Sequence, residues 1–327
     1  MSRFCLSAVL AVVGIVSVFV GCQKAVDDEQ YSIGKARLEI SVPVTGTKVV
    51  SGIDETAVTN YQIFLFNDQE VLEAYVNTSS SEISVECTMG SKTVVALVNA
   101  PAVSDVSTLA SLMSRKSKLS DNSADSFVME GKVGVDIDTT EDVEVSVPVS
   151  RKVSKVELKN LVTEFELPQY REMEFKVTSV YLINVPAEMT YFNEGAPTLW
   201  FNCSEYVETD DNTLLYDDMD DLLVSDSSPY SVRNTFYSYP NLTEADSFDS
   251  SWSPRKTRLV VETTLGGEKY YYPVTIPSLE QNKRYEVNLT VTRPGSYDPD
   301  VIVDKFAGIF TIQVKDWEIG ASVSEEI

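Results

Sequence analysis

The chain has 327 residues, enough for about two domains at roughly 150 residues each. Its 50 acidic residues against 26 basic ones give a formal charge of −24, a surface that repels phosphate backbones and argues against a nucleic-acid partner. It contains no histidine, which excludes a Ser-His-Asp triad, a Cys-His dyad and any His-ligated zinc. Carboxylate pairs stay open in principle, but no nucleophile, base and orienter can be nominated, so the reading is no enzyme, no cofactor and no metal.

Arg3 and the apolar run from Leu6 to Val20 form a signal-peptide pattern. The run is about 15 residues, short for a membrane-spanning helix. It ends in Phe19-Val20-Gly21-Cys22, where a small residue before Cys resembles the lipobox of bacterial lipoproteins, with Phe in place of the usual Leu. That resemblance implies cleavage after residue 21, lipid on Cys22 and a surface-exposed outer-membrane lipoprotein. Ordinary secretory cleavage near Gly21 is the alternative. Residues 22–35, with Asp27-Asp28-Glu29, read as an acidic tether similar to the surface-export signal of some lipoproteins. Once Cys5 has left and Cys22 carries lipid, Cys87 and Cys203 remain. They pair in one disulfide or stay as two buried thiols; the second reading is preferred.

The first strand is predicted where Leu38, Ile40, Val42 and Val44 alternate with Glu39, Ser41 and Pro43, with Pro43 at a strand end. Tyr61 to Phe66 reads as a strand buried on both faces, ending at the Asn67-Asp68 turn. Val71–Val76, Ile83–Cys87 and Thr93–Asn99 follow as strands. One helix is predicted from Asp105 to Lys118, capped by Ser104, with Val106, Leu109, Leu112 and Met113 on one face and basic residues in the last turn. Phe127–Met129 and the valine alternation from Val143 to Val149 complete a first domain, residues 36–150.

A second domain, residues 151–327, opens at Arg151–Leu158 and continues with strands at Phe175–Val185, Arg258–Thr264, Tyr270–Ile276, Tyr285–Thr292 and Phe310–Trp317. Short strands at this spacing with one short helix predict an all-β fold of sandwiches or barrels. Between Glu205 and Ser228, Asp210, Asp211, Asp217, Asp218, Asp220 and Asp221 crowd together. The EF-hand spacing fails there, so a solvated acidic loop is preferred over a calcium site.

Ala36 to Val44, a spacer through Gly46-Thr47-Lys48, then Val58 to Asn67 resembles the start of the FimA-type fimbrillins, the subunits of type V pili. The resemblance continues at Cys87–Asn99, at Phe127–Gly131, at Val147–Leu158, and at Tyr271–Val274, Asn282–Gly295 and Val314–Trp317. The pieces occur in family order, while about Ala187 to Ser253 matches nothing recognised. The resemblance implies two tandem transthyretin-like antiparallel β-sandwich domains. It implies that a trypsin-like protease removes the first strand, residues 36–48. A C-terminal strand of the next fimbrial subunit, a copy of itself or another, then fills the groove. The matching cleavage position is Lys48 where the family typically has Arg. Residues 318–327 are the candidate donor, with Ile319, Ala321 and Val323 alternating with smaller residues. The expected function is a polymerising fimbrial subunit that supports adhesion to a host or glycan ligand. The alternatives are an uncut lipidated anchor and a glycan-binding surface lipoprotein, with Trp200, Trp252 and Tyr270–Tyr272 as an aromatic platform.

Overall fold

A computed structural model describes residues 34–44, 55–201, 214–225, 227–246, 253–303 and 308–317. Cys22, Lys48, Cys203, Trp252 and the candidate donor residues Ile319, Ala321 and Val323 lie outside the described residues. From Gly34 onward the chain is one compact unit. Among the described residues no helix is long and apolar enough to cross a membrane.

The first lobe is built from β1 (Lys35–Ser41), β2 (Tyr61–Phe66), β3 (Leu72–Thr78), β4 (Glu82–Thr88), β5 (Gly90–Val98), β6 (Lys116–Lys118), β7 (Met129–Ile137), β8 (Val143–Ser146) and β9 (Ser150–Arg151). One sheet has the order β4-β1-β8 and the other β3-β2-β5-β7-β9. Alternate residues of β1, β4 and β8 meet Ile63, Leu65, Val94 and Ala96 in a closed core. The predicted burial of β2 on both faces is borne out, because Phe64 and Phe66 point away from that core into a second cluster beneath a short helix.

That helix, α1, spans only Leu109–Met113. The expected start at Ser104 fails because Asp105 sits at φ +57°, a left-handed conformation outside the helical range. Residues 107 and 108 instead pair with the chain entering β3, through Leu72 N–H to Ser107 and the Val71–Thr108 bridge. Thr108 caps the helix and Ser111 closes the capping box. Lys116 and Lys118, expected in the last helical turn, lie in β6.

The second lobe contains β10 (Ser154–Thr163), α2 (Pro168–Arg171), β11 (Phe175–Ile183), β12 (Val185–Pro186), β13 (Glu188–Thr190), β14 (Trp200–Phe201), β15 (Tyr216–Leu223), β16 (Asn234–Ser238), β17 (Arg258–Leu265), β18 (Glu268–Thr275), β19 (Lys283–Val291) and β20 (Gly308–Asp316). Its sheets run β16-β10-β19-β20 and β15-β11-β17-β18. The acidic segment is therefore not a loop throughout. Tyr216–Leu223 forms an edge strand on β11, its register shifted by a bulge near Val177. Asp220 and Asp221, at φ +48° and +54°, break its regularity.

The lobes share one wiring. Each first strand pairs antiparallel with one neighbour, β4 or β16, and parallel with another, β8 or β19. These two parallel pairings interrupt sheets otherwise antiparallel throughout. The opposite sheets correspond as β3-β2-β5-β7 and β15-β11-β17-β18. β10 is thus the counterpart of β1. The cores do not part cleanly at residue 150, since Leu119 and Phe127 belong to the core of the second lobe. The β6–β13 ladder also joins the two.

Candidate functional site: the slot of the first strand

β1 occupies the middle of its sheet. Leu38 lies opposite Val85 of β4 and beside Val143 of β8; Ile40 lies opposite Ile83 and beside Val145. Its burial follows the predicted period, with Leu38, Ile40 and Val42 at most 1% exposed. Ala36 is buried with them, a contribution the sequence reading passed over because a methyl side chain carries little weight in a hydrophobic pattern. Val44 is half-buried and bridges Val149 in parallel. Pro43 falls at the strand end as expected, where the missing N–H costs no ladder bond. Ser41 accepts from Val147 N–H at 2.8 Å, and Val42 N–H donates to Ser81 at 2.9 Å.

Three fully buried aliphatic side chains at about 1.5–3 kcal/mol each hold the strand through apolar burial. Its removal would open a groove walled by β4 and β8 and floored by Ile63, Val94 and Ala96. Both walls would present unpaired backbone groups.

The outward face of β1 carries Lys35, Arg37, Glu39 and Ser41. Among the described residues no ion pair reaches it, and its one side-chain tie is Ser84 Oγ to Glu39 Oε1 at 2.7 Å. Glu39 sits beside Glu144 of β8, a like-charge neighbour. The counterpart strand has like-charge register neighbours too, Lys155 beside Arg284 and Glu157 beside Glu286, but its charges are closed in ion pairs. On β10, Lys155 pairs with Glu55 at 2.6 Å, Glu157 with Arg284, and Lys159 with Glu286 at 2.8 Å. Glu286 also takes Arg284 at 2.9 Å and Lys315 at 2.9 Å. Burial pushes the Glu286 carboxyl up, but these cations outweigh it and bring it down to about 2. β10 is stapled across its sheet and β1 is not.

Two asparagines that ended predicted strands have clear roles. Asn67 Oδ1 accepts the N–H groups of Gln69 and Val71 at 3.0 Å and shapes the turn after β2. Asn99 ends β5 in the left-handed region at φ +56°. Its side chain takes Thr59 N–H at 2.8 Å and donates to Ala57 and Phe127.

Among the described residues, the aromatics of the rival glycan reading do not assemble. Trp200 is buried, Tyr272 lies in the second core, and Tyr271 points to the opposite face from Tyr270 and Tyr272, as alternation requires. Cys87 is a free, buried thiol in the wall of the slot; burial pushes it up. Among the described residues no group of three or more Cys, Asp or Glu is placed to hold a metal.

No family model matches the sequence, and no curated protein matches it. Solved structures do. A provisionally assigned cell adhesion protein from Bacteroides eggerthii aligns over 86% of this chain and 96% of its own at 18% identity, with a TM-score of 0.66. The fimbrilin FimA from Porphyromonas gingivalis W83 aligns over 87% and 98% at 15% identity, with a TM-score of 0.61. The tip fimbrial protein Mfa3 from Porphyromonas gingivalis, with a C-terminal truncation, aligns over 86% and 100% at 11% identity, with a TM-score of 0.55. The chain shares, over most of its length, the fold of these adhesion and fimbrial proteins.

Proposed function

We propose that this chain is a FimA-type subunit of a cell-surface fimbria that polymerises by strand exchange. It leaves the cell as a lipoprotein on Cys22 and reaches the outer surface. A trypsin-like protease cuts at Lys48 and frees β1. The C-terminal segment of another subunit, with Ile319, Ala321 and Val323, then fills the slot. Adhesion is the property of the resulting fibre.

One observation carries this reading. Two strands hold equivalent places in two equivalent lobes, and among the described residues only the one later in the chain is cross-linked by ion pairs. A strand held by apolar burial, backbone pairing and one exposed side-chain hydrogen bond can be replaced by an apolar strand of matching period. A strand stapled by Lys155, Glu157 and Lys159 cannot.

The test is a reversible lock. Glu39 and Ser84 are directly opposite on β1 and β4. Antiparallel partners lie about 4.5–5.5 Å apart at Cα, within disulfide range. The chain carrying E39C and S84C is treated with a trypsin-like protease in oxidised and in reduced form. The reduced protein should lose residues up to Lys48 and form ladders and fibres seen by electron microscopy. The oxidised protein should be cut and stay monomeric. Fibres from the oxidised protein, or none from reduced protein that has lost the strand, would defeat the proposal.

A further inference from the structure

Glu55 is the first described residue after Val44, and Trp317 is the last of the chain's described residues. They meet although 262 positions separate them: Trp317 Nε1 donates to Glu55 Oε2 at 3.1 Å. The other carboxylate oxygen accepts from Lys155 Nζ of β10 at 2.6 Å and from the Tyr237 hydroxyl of β16 at 2.9 Å. The backbone carbonyl of Glu55 accepts from Arg151 at 3.1 Å. The same guanidinium lies 4.6 Å from the Trp317 ring. Tyr237 stacks on that ring at 5.7 Å and Phe127 meets it edge-on at 5.3 Å. Asn282 fixes the Trp317 backbone N–H at 3.1 Å. Burial pushes the Glu55 carboxyl up, while Lys155, Tyr237 and Trp317 outweigh it and hold it below the usual carboxylate range.

We propose that Glu55 and Trp317 form a clasp on β10 and β16 that fastens the connector from the first strand and the C-terminal segment at one point, so that loosening either end loosens the other. The functional sense of this coupling rests on the strand-exchange reading. There, the segment ahead of Glu55 must let go of β1 and the segment after Trp317 must reach another subunit. The clasp would hold the rest of the second lobe unchanged while both ends move.

Hydrogen exchange followed by mass spectrometry on the uncut, full-length monomer tests this. Glu55→Gln removes the charge and keeps the shape. Trp317→Phe keeps an aromatic side chain but removes the N–H together with the five-membered ring of the indole. Glu55→Gln should speed exchange in the peptide covering 308–317 by about tenfold, the loss of one charge-assisted bond. Trp317→Phe should speed exchange by a similar factor over 55–60. Exchange over β17 and β18, residues 258–275, should stay as in the parent chain in both. Acceleration confined to the mutated end would overturn the coupling. Acceleration everywhere, β17 and β18 included, would show general destabilisation and overturn the clasp as a local device. These readouts do not involve polymerisation. If the ends loosen together but the cut chain forms no fibres, the strand-exchange reading fails and the clasp stands.

Discussion

Leu38→Ala probes how β1 is held. Leu38 is fully buried between β4, β8 and the facing sheet. Truncation removes its transfer energy and leaves a cavity, together about 3 kcal/mol in a tightly packed site. The matched change Leu158→Ala on β10, also fully buried, should remove a similar amount. The two losses should be distributed differently. Opening of β1 breaks no ion pair, so in the Leu38→Ala chain hydrogen exchange over 35–44 and over β4, residues 82–88, should quicken by roughly 100-fold. Exchange over β10 and β19 should hardly change. Leu158→Ala sits in a strand tied to Glu55, Arg284 and Glu286. Its cost should appear as a lower midpoint for unfolding the whole chain, without selective opening of one strand. If Leu38→Ala quickens exchange over 154–163 and 283–291 as much as over 35–44, β1 does not open by itself. Ion pairs on the outward face would then not decide which strand opens.

Three further outcomes follow from the packing. Glu286, Glu55 and Glu73, the last paired with Lys92 at 2.9 Å, are all held below the usual carboxylate range, so the stability they contribute is full well above about pH 4.5 and is lost as pH falls, for Glu286 towards about 2. Glu286→Gln should remove on the order of 1–2 kcal/mol at neutral pH, after allowance for solvent screening, and flatten that acid slope in urea titrations; an unchanged slope would refute the assignment. Glu130 is buried and accepts from Lys152 Nζ at 3.0 Å and Phe192 N–H at 2.9 Å, so Glu130→Gln should cost about 3–5 kcal/mol by leaving Lys152 buried without its counter-charge, read by thermal unfolding. A Cβ on Gly131 would stand 2.3 Å from the Pro148 carbonyl, so Gly131→Ala should push β7 from the chain entering β9 and lower the thermal midpoint by several degrees, whereas Gly134→Ala, whose Cβ would only touch the Lys92 carbonyl at 3.9 Å, should not.

Much of the architecture was legible because burial here follows a period of two. Leu38, Ile40 and Val42, the Val143–Val149 alternation and the doubly buried Tyr61–Phe66 could be read directly, as could the asparagines that end β2 and β5. The helix was misread because its apolar spacing runs from Val106 to Met113, while the left-handed Asp105 and the pairing of 107–108 with β3 are tertiary facts. β15 was missed because an edge strand needs only backbone partners, and Asp217, Asp218, Asp220 and Asp221 give no β-signal. β16 lay in the stretch that resembled nothing recognised. The staples on β10 were visible as Lys155-Val156-Glu157, but their partners on β19 and β20 come from far along the chain. So does the contact of Glu55 with Trp317.

The two lobes share one wiring but hold their first strands differently. In both, the first strand alternates apolar and polar residues and takes the middle of its sheet. The apolar sides are close to equivalent, Leu38 and Ile40 against Val156 and Leu158. The difference lies outward. β10 carries Lys155, Glu157 and Lys159 in ion pairs with Glu55, Arg284 and Glu286, although Glu157 lies beside Glu286 in register, and Glu157 and Glu286 are almost wholly enclosed. Withdrawing β10 would break the pairs of Glu157 with Arg284 and of Lys159 with Glu286, leaving Glu286 to Arg284 and Lys315 alone. β1 carries Glu39 beside Glu144, and Arg37 opposite Glu86 without closing an ion pair. Withdrawing β1 strands no charge and relieves one repulsion. The cost is then almost entirely apolar, and an incoming apolar strand returns it. Chain order adds the second condition, because β1 lies ahead of every other described strand and a single cut frees it, whereas β10 is joined at both ends. Under the strand-exchange proposal, outward charge and connectivity would confine exchange to the first lobe, while the shared core pattern would leave the slot open to any strand of the same period.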